Sequence, residues 1–528
     1  MRRIRHGEDL LMLAVGAILT GLMLVFPRVG FLQWITMIPL IIGAFRICSD
    51  ESVCLRHAYG YGFLTVFLYY MVLYHWFVNL YPLDFAGLDR AASVVVVVAG
   101  WVGLSLLQAI VGGLIFLALR AIDQTGILKC YPLVGPFAFA ALWVVFEWSS
   151  TLSWTGVPWG RLALGQIEYL SMLQSASLLG SYFVSFLILV VNGLLAYAIL
   201  YRRRELLCIG LSIGLVVANL TYGLLARTVE PSVNKTAHVA VIQGNISSHE
   251  KWSGSDHVKG VYADLTEQAV IDGAEIVIWP ETVLPYVLNY NEKSMTFLSE
   301  LAIKYQITLV VGSFYTSDSG EDYNALYMVD PDGTIREEYY AKRHLVPFGE
   351  YIPMEKLISV LIPPLAELSK LSGSLTEGED SGLFETEHGN LGSLICFDSI
   401  YEQLTIDSVR DGAELMMVSS NDSWFRDSAA VYQHQAQSQL RAIESGRFFV
   451  RSANTGISTI VAPDGELLGW IDPLESGYAV HEVGMISEQT LYDRIGNLFV
   501  YLCIGGVLLL FGAGLYQAKR DRKARFVS

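Results

Sequence analysis

Charge is scarce in this chain. Of 528 residues 16% are charged and 53% hydrophobic, a balance too apolar for one soluble domain and in the range of membrane proteins. The charge that exists runs negative, with 35 Lys and Arg against 51 Asp and Glu and a formal net of -16; this excludes a nucleic-acid partner. Cysteine is scarce too: of Cys48, Cys54, Cys130, Cys208, Cys396 and Cys503, only Cys396 lies in the long polar stretch. A disulfide framework is therefore excluded there, and with no CxxC or His/Cys cluster no metal is expected. Carboxylates are rare inside the apolar runs, which counts against a proton-coupled transporter. A cleavage site is lacking as well. Met1-Arg2-Arg3-Ile4-Arg5 resembles the basic start of a signal peptide, but no small-residue site follows the apolar run from Leu10 to Phe26, which reads as a retained transmembrane helix.

Long apolar runs are abundant. They fall at roughly 10–27, 31–47, 59–81, 92–120, 132–149, 170–200, 206–226 and 496–516, about eight spans of bilayer length. Lys and Arg collect in alternate loops: Arg2, Arg3 and Arg5; Arg46 and Arg56; Arg120 and Lys129; Arg202, Arg203 and Arg204; and Lys519, Arg520, Arg522, Lys523 and Arg525. That asymmetry puts both termini in the cytoplasm and the polar stretch outside. Three regions follow: a transmembrane bundle of about seven helices at 1–230, an extracytoplasmic domain at 231–490, and a last span with a basic tail at 491–528. In the loop Trp154-Thr155-Gly156-Val157-Pro158-Trp159-Gly160 the tryptophans are expected in an interfacial aromatic belt.

From His238 the periodicity changes. Apolar strands are expected at His238 to Gln243, Glu275 to Trp279, Thr308 to Gly312, Leu391 to Ile395 and Glu414 to Ser419. Helices are expected near 256–272, 294–305, 401–411 and 428–445. Asn324 to Val329 and Thr334 to Tyr340 form a hairpin around Asp330-Pro331-Asp332-Gly333, and Phe448 to Arg451 and Ile457 to Ala462 read as the final strands. Strands and helices alternating with hairpins indicate a layered α/β domain. The apolar, Pro-broken segment from Leu357 to Leu365 is too short to span. It is either a core helix or a membrane-facing lid.

Three strand ends carry chemistry. Ile276-Val277-Ile278-Trp279-Pro280-Glu281-Thr282 ends in a carboxylate, Lys342 precedes the loop His344-Leu345-Val346-Pro347-Phe348-Gly349-Glu350, and Leu391 to Ile395 runs into Cys396-Phe397-Asp398. A thiol is a competent nucleophile when a carboxylate can take its proton, and an ammonium both favours the thiolate and can donate to an oxyanion. Glu281, Lys342 and Cys396 can fill these roles without metal or organic cofactor. Singly, Glu281 or Lys342 is as well explained by a structural salt bridge; jointly, and in this order, they point to a catalytic trio.

The polar domain resembles the nitrilase, or carbon-nitrogen hydrolase, superfamily, through Val241-Ile242-Gln243-Gly244-Asn245, Trp279-Pro280-Glu281-Thr282, Lys342 to Glu350, Ile395-Cys396-Phe397 and Ser420-Asn421-Asp422-Ser423-Trp424-Phe425. With spans on both sides, nearly the whole chain resembles the bacterial apolipoprotein N-acyltransferase family. The resemblance implies an αββα sandwich. It also implies acyl transfer from a membrane phospholipid, through a thioester on Cys396, to the N-terminal amine of a diacylglyceryl-cysteine apolipoprotein. Glu281 would be the base and Lys342 the oxyanion stabiliser. Glu350 and Asp398 would be supporting acids, with Trp252 and Phe397 against substrate. The setting would be the bacterial inner membrane, with the catalytic domain on the periplasmic side. Phe397-Asp398 departs from the Tyr-Glu expected after the nucleophile, keeping the acid on a shorter arm and losing a phenolic hydroxyl. Two other readings are a membrane-anchored amidase with water as acceptor, disfavoured because one span would tether a hydrolase, and a transporter with an outside receptor domain, disfavoured by the trio.

Overall fold

A computed structural model describes residues 2–83, 87–202, 204–247, 250–251, 255–354 and 375–527. Trp252 and the segment Leu357 to Leu365 lie outside the described residues. The chain divides into two compact units: Met1–Phe77 with Val96–Val229 and Ile495–Ser528, and Val78–Val95 with Glu230–Arg494.

In the first unit the apolar runs become helices. Among the described residues seven are long and apolar enough to cross a membrane: Gly7–Val25, Pro27–Ser49, Leu55–Leu80, Arg90–Gln124, Ser181–Tyr201, Glu205–Ala226 and Leu498–Arg520. The shorter apolar helix Val134–Ser149 makes up the eighth expected run. The stretch 170–200 is not one span. Gly180, at φ +79°, separates the short helix Ala176–Leu179 from Ser181–Tyr201, because an extended left-handed residue cannot continue a helix. Glu205–Ala226 leaves Leu206, Ile213, Val217 and Leu224 exposed, an apolar face of the kind a membrane covers. Trp159, expected in an interfacial belt, is instead buried with its ring 5.8 Å from Trp76; Tyr69 pins its loop by donating to the Gly160 carbonyl at 2.7 Å.

The second unit is built on strands β1 (Lys235–Gln243), β2 (Ile276–Ile278), β3 (Leu284–Val287), β4 (Thr308–Thr316), β5 (Asp322–Val329), β6 (Ile335–Ala341), β7 (Leu383–Glu385), β8 (Asn390–Ile395), β9 (Leu415–Ser420), β10 (Phe449–Ala453), β11 (Ser458–Val461), β12 (Leu467–Ile471) and β13 (Gly477–Met485). They form two sheets, one in the order β13-β1-β2-β4-β5-β6 with β3 beside β4, the other β12-β11-β10-β9-β8-β7. Parallel pairs β1–β2, β2–β4, β8–β9 and β9–β10 occupy the middle of the sheets. They are short and almost wholly buried, as parallel strands covered on both faces require.

The two sheets share one core. Val239, Val241, Ile276, Ile278, Val310 and Leu326 of the first meet Leu391, Ile395, Leu415, Met417 and Val450 of the second. The other face of the first sheet packs Val277, Leu309 and Val311 with Val258, Leu298 and Leu301, from the helices Ser255–Ile271 and Glu292–Tyr305. The helices Glu402–Arg410 and Ala429–Ser445 pack on β8 and β10 of the second sheet. This is the αββα sandwich. Ile457 to Ala462 is not the final strand: β12 and β13 follow it, and β13 pairs antiparallel with β1 from Lys235–Met485 to Gln243–Gly477. The half-exposed, polar-interrupted pattern of Gly477–Met485 hides this edge strand from a reading based on apolar runs.

Candidate active site

Glu281, Lys342 and Cys396 each stand just beyond a strand: two residues after the short β2 gives way to Trp279-Pro280, directly after β6, and directly after β8. The backbone is strained at each station. Thr282 lies at φ +46°, Cys396 at +50° and Phe348, in the loop after Lys342, at +65°. Such conformations cost about 1–3 kcal/mol each and persist where surrounding structure holds them. Under the Glu281 turn, Gly312 of β4 is a glycine by close approach: a Cβ there would come within 2.8 Å of Glu281 Cα. Trp279 is fully buried against Tyr262 and donates from Nε1 to Thr266 Oγ1 at 3.0 Å. Ser419 of β9 donates to the Trp279 carbonyl at 3.1 Å, tying the carboxylate turn to the sheet that carries the cysteine.

Lys342 is buried between two carboxylates. Its Nζ donates to Glu281 Oε1 at 3.1 Å and to Glu350 Oε1 at 3.0 Å. Burial opposes the charge, but Glu281 and Glu350 together outweigh it and hold the ammonium well above the ordinary lysine range. Asn324, which the sequence reading did not single out, bridges the acids: its Nδ2 donates to Glu281 Oε1 at 2.7 Å and to Glu350 Oε1 at 3.0 Å. The Lys342 amide donates to the Asn324 carbonyl at 2.8 Å, so the pairing of β5 with β6 sets this geometry. Glu350 Oε2 closes its own loop by accepting from the Val346 amide at 2.8 Å.

The thiol behaves differently from the sequence expectation. A nearby ammonium was expected to lower its pKa; instead burial, then the Glu281 carboxylate, push the Cys396 thiol up, and Lys342 only partly offsets them. Cys396 rests as a thiol with a carboxylate and an ammonium acting on it. Asp398 is fully buried. It accepts from Tyr340 Oη at 2.7 Å, the His344 amide at 2.8 Å and the Ile395 amide at 3.0 Å, and burial holds its carboxyl up at about 6. It ties the lysine strand to the Cys396 turn. Phe397 is half-buried, its ring edge-on to Tyr401 at 5.4 Å.

A second lysine lies beside the trio. Lys251 is buried, and its Nζ donates to Thr282 Oγ1 at 2.6 Å and to the Glu281 carbonyl at 3.3 Å. Burial brings its pKa down to about 8, against the pull of Glu281. The fold also gathers Cys396, Asp422 and His434, whose ligand-type atoms all lie within 4.8 Å of one another. No sequence spacing announces this group. Arg451 Nη2, 2.7 Å from Asp422 Oδ2, already supplies a positive charge there.

Residues 238–489 match the Carbon-nitrogen hydrolase family. The layered fold, with carboxylate, lysine and cysteine at successive strand ends, defines an enzyme of that class carried on membrane-spanning helices. Nit3 of Saccharomyces cerevisiae, a member of branch 10 of the nitrilase superfamily, is 21% identical and aligns with 48% of this chain and 93% of its own, at a TM-score of 0.38. Residues 16–194 match the Apolipoprotein N-acyltransferase N-terminal domain. The Apolipoprotein N-acyltransferase of Geobacter metallireducens is 30% identical over 517 residues, covering 95% of this chain and 94% of that protein. That of Nostoc sp. is 30% identical over 495 residues, covering 90% and 93%. The chain belongs to the apolipoprotein N-acyltransferase family and is a multi-pass membrane protein.

Proposed function

We propose that the chain moves an acyl chain from a membrane phospholipid to the N-terminal amine of a diacylglyceryl-cysteine lipoprotein, by a ping-pong reaction through Cys396. As a member of its family it is an N-acyltransferase acting on lipoproteins; the donor, the residue roles and the sidedness are this proposal. The observation that carries it is the buried Lys342 ammonium, held by Glu281 and Glu350 and acting electrostatically on the Cys396 thiol.

In the first half-reaction Glu281 takes the thiol proton as sulfur attacks the phospholipid ester carbon. An ammonium has three donors; two of those on Lys342 engage the carboxylates, and the third serves the developing oxyanion. The C–S bond forms, the C–O bond breaks, and the departing lysophospholipid oxygen takes the proton from Glu281. In the second half the lipoprotein amine attacks the thioester while Glu281 takes an amine proton. The C–N bond forms, the C–S bond breaks, and the sulfur regains its proton. An amide is more stable than a thioester, so no nucleotide is needed. The raised thiol pKa suits this scheme, because proton removal is coupled to attack and no standing thiolate is exposed to oxidation. The Lys and Arg asymmetry supports an outward, periplasmic catalytic unit with cytoplasmic termini.

The test is phospholipid labelled in the acyl chain, given to purified protein without acceptor. Wild type should accumulate label on the peptide carrying Cys396, and Cys396→Ala should accumulate none. Covalent label on Cys396→Ala, or lipoprotein peptide acylated by it, would remove the nucleophile assignment.

A further inference from the structure

The strained conformation of Cys396 needs something to hold it. One anchor is Asp398, which reaches the turn through the Ile395 amide. A second lies on the opposite side. The Cys396 carbonyl accepts from Ser399 Oγ at 2.7 Å and lies 3.1 Å from His434 Nε2. His434 comes from the helix Ala429–Ser445 and is 1% exposed. From the geometry we propose that His434 is a positioning residue for the nucleophile, its ring oriented by Asp422 and Arg451 so that Nε2–H holds the Cys396 carbonyl and with it the backbone from which the sulfur attacks.

The argument rests on which nitrogen carries hydrogen. A carbonyl oxygen only accepts, so the 3.1 Å contact is a hydrogen bond when Nε2 is protonated. The doubly protonated ring meets that condition. His434 Nδ1 lies 2.9 Å from Asp422 Oδ1, to which Nδ1–H donates, and Nε2–H then faces the Cys396 carbonyl, with Ser399 Oγ 3.2 Å from the same nitrogen. Arg451 Nη2 stands 3.0 Å from Nδ1, but its two hydrogens go to Asp422 and Ser420, so it orients the ring through Asp422. The orienting pair is itself fixed. Arg451 Nη2 donates to Asp422 Oδ2 at 2.7 Å and to Ser420 Oγ at 3.0 Å, Ser420 Oγ donates to Asp422 Oδ1 at 3.0 Å, and both charged groups are buried. Burial opposes the Asp422 charge, but His434 and Arg451 outweigh it and hold the carboxyl well below the usual range. Asp422 and Ser420 stand at the end of β9 and Arg451 on β10, so the inner strands of the second sheet support the nucleophile through one histidine.

This inference assumes that Cys396 is the nucleophile, and the experiment separates the two claims. Full-length variants are compared with wild type for single-turnover acyl-enzyme formation from labelled phospholipid, for KM, and for thermal unfolding. Glutamine can place an amide N–H near the position of Nε2; asparagine is too short. His434→Asn should slow acyl-enzyme formation by about tenfold to a hundredfold, the scale of a misplaced reacting group, with KM little changed. His434→Gln should recover most of the rate. Equal slowing by both, or a wild-type rate in His434→Asn, overturns the role, since a residue serving only as packing would not separate the amides by reach. Should His434→Asn not fold, Ser399→Ala removes the other donor to the same carbonyl. It should slow the step about fivefold, the worth of one ordinary hydrogen bond, and an unchanged rate there overturns the proposal. Label on Cys396→Ala would instead sink the nucleophile assignment itself.

Discussion

Tyr340 donates a 2.7 Å hydrogen bond to Asp398, across 58 residues of chain. Tyr340 is two residues before the lysine and Asp398 two residues after the cysteine, so this buried contact ties the lysine strand to the cysteine turn. It also explains how Asp398 serves where a longer acid was expected: the carboxyl stays inside, against Tyr340, His344 and Ile395, and does not reach for substrate.

Asp398 should leave a signature in stability. Its folded pKa, about 6, lies above the ordinary 3.8, so the folded state holds this proton more tightly. The stabilisation is full below about pH 4 and lost as pH rises through about 6, up to roughly 3 kcal/mol for one such group. In thermal unfolding from pH 4 to 7, the stability of wild type relative to Asp398→Asn should fall across that window. A constant difference would mean the carboxyl is not held up. Asp398→Ala, which strands three donors, should lower both stability and turnover.

Glu281→Gln should separate thiol reactivity from catalysis. The carboxylate raises the thiol pKa, so a neutral amide increases the thiolate fraction and should speed alkylation of Cys396 by iodoacetamide at pH 7–8. Acyl transfer should nevertheless collapse, because the proposed proton acceptor is gone. Slower alkylation alongside lost activity would point to a disrupted site.

Lys342→Ala should cut acyl-enzyme formation by about 10²–10³, the usual cost of one oxyanion donor. It also removes the counter-charge between Glu281 and Glu350, so Asn324→Asp, which adds a carboxylate to that pair while keeping the ammonium, should impair turnover less than Lys342→Ala. Single-turnover rates of the two variants decide the ranking.

Reporter fusions near Gly320 should report the outer side of the membrane and fusions after Lys519 the cytoplasm, as the basic loops require. A cytoplasmic signal near Gly320 would reverse the proposed orientation.

The sequence by itself determined the parts that repeat locally. Apolar runs of bilayer length marked the spans, because a buried backbone in lipid must be helical. Short apolar runs marked the inner strands, and Glu281, Lys342 and Cys396 stood out because each lies beside an expected strand end. Tertiary structure alone decided how those parts act on one another. Gly180 splits an apolar run that hydropathy reads as continuous, because a left-handed residue interrupts a helix without changing hydropathy. Strands β12 and β13 escaped notice because edge strands need no continuous apolar face. Asn324 and His434 escaped because an amide or imidazole gains its role from partners distant in the chain: Asn324 from Glu281, 43 residues away, and His434 from Cys396, 38 residues away. The thiol pKa turned on the same cause. The sequence places an ammonium and a carboxylate near the cysteine, but only the depth of burial decides that desolvation and the carboxylate outweigh the lysine.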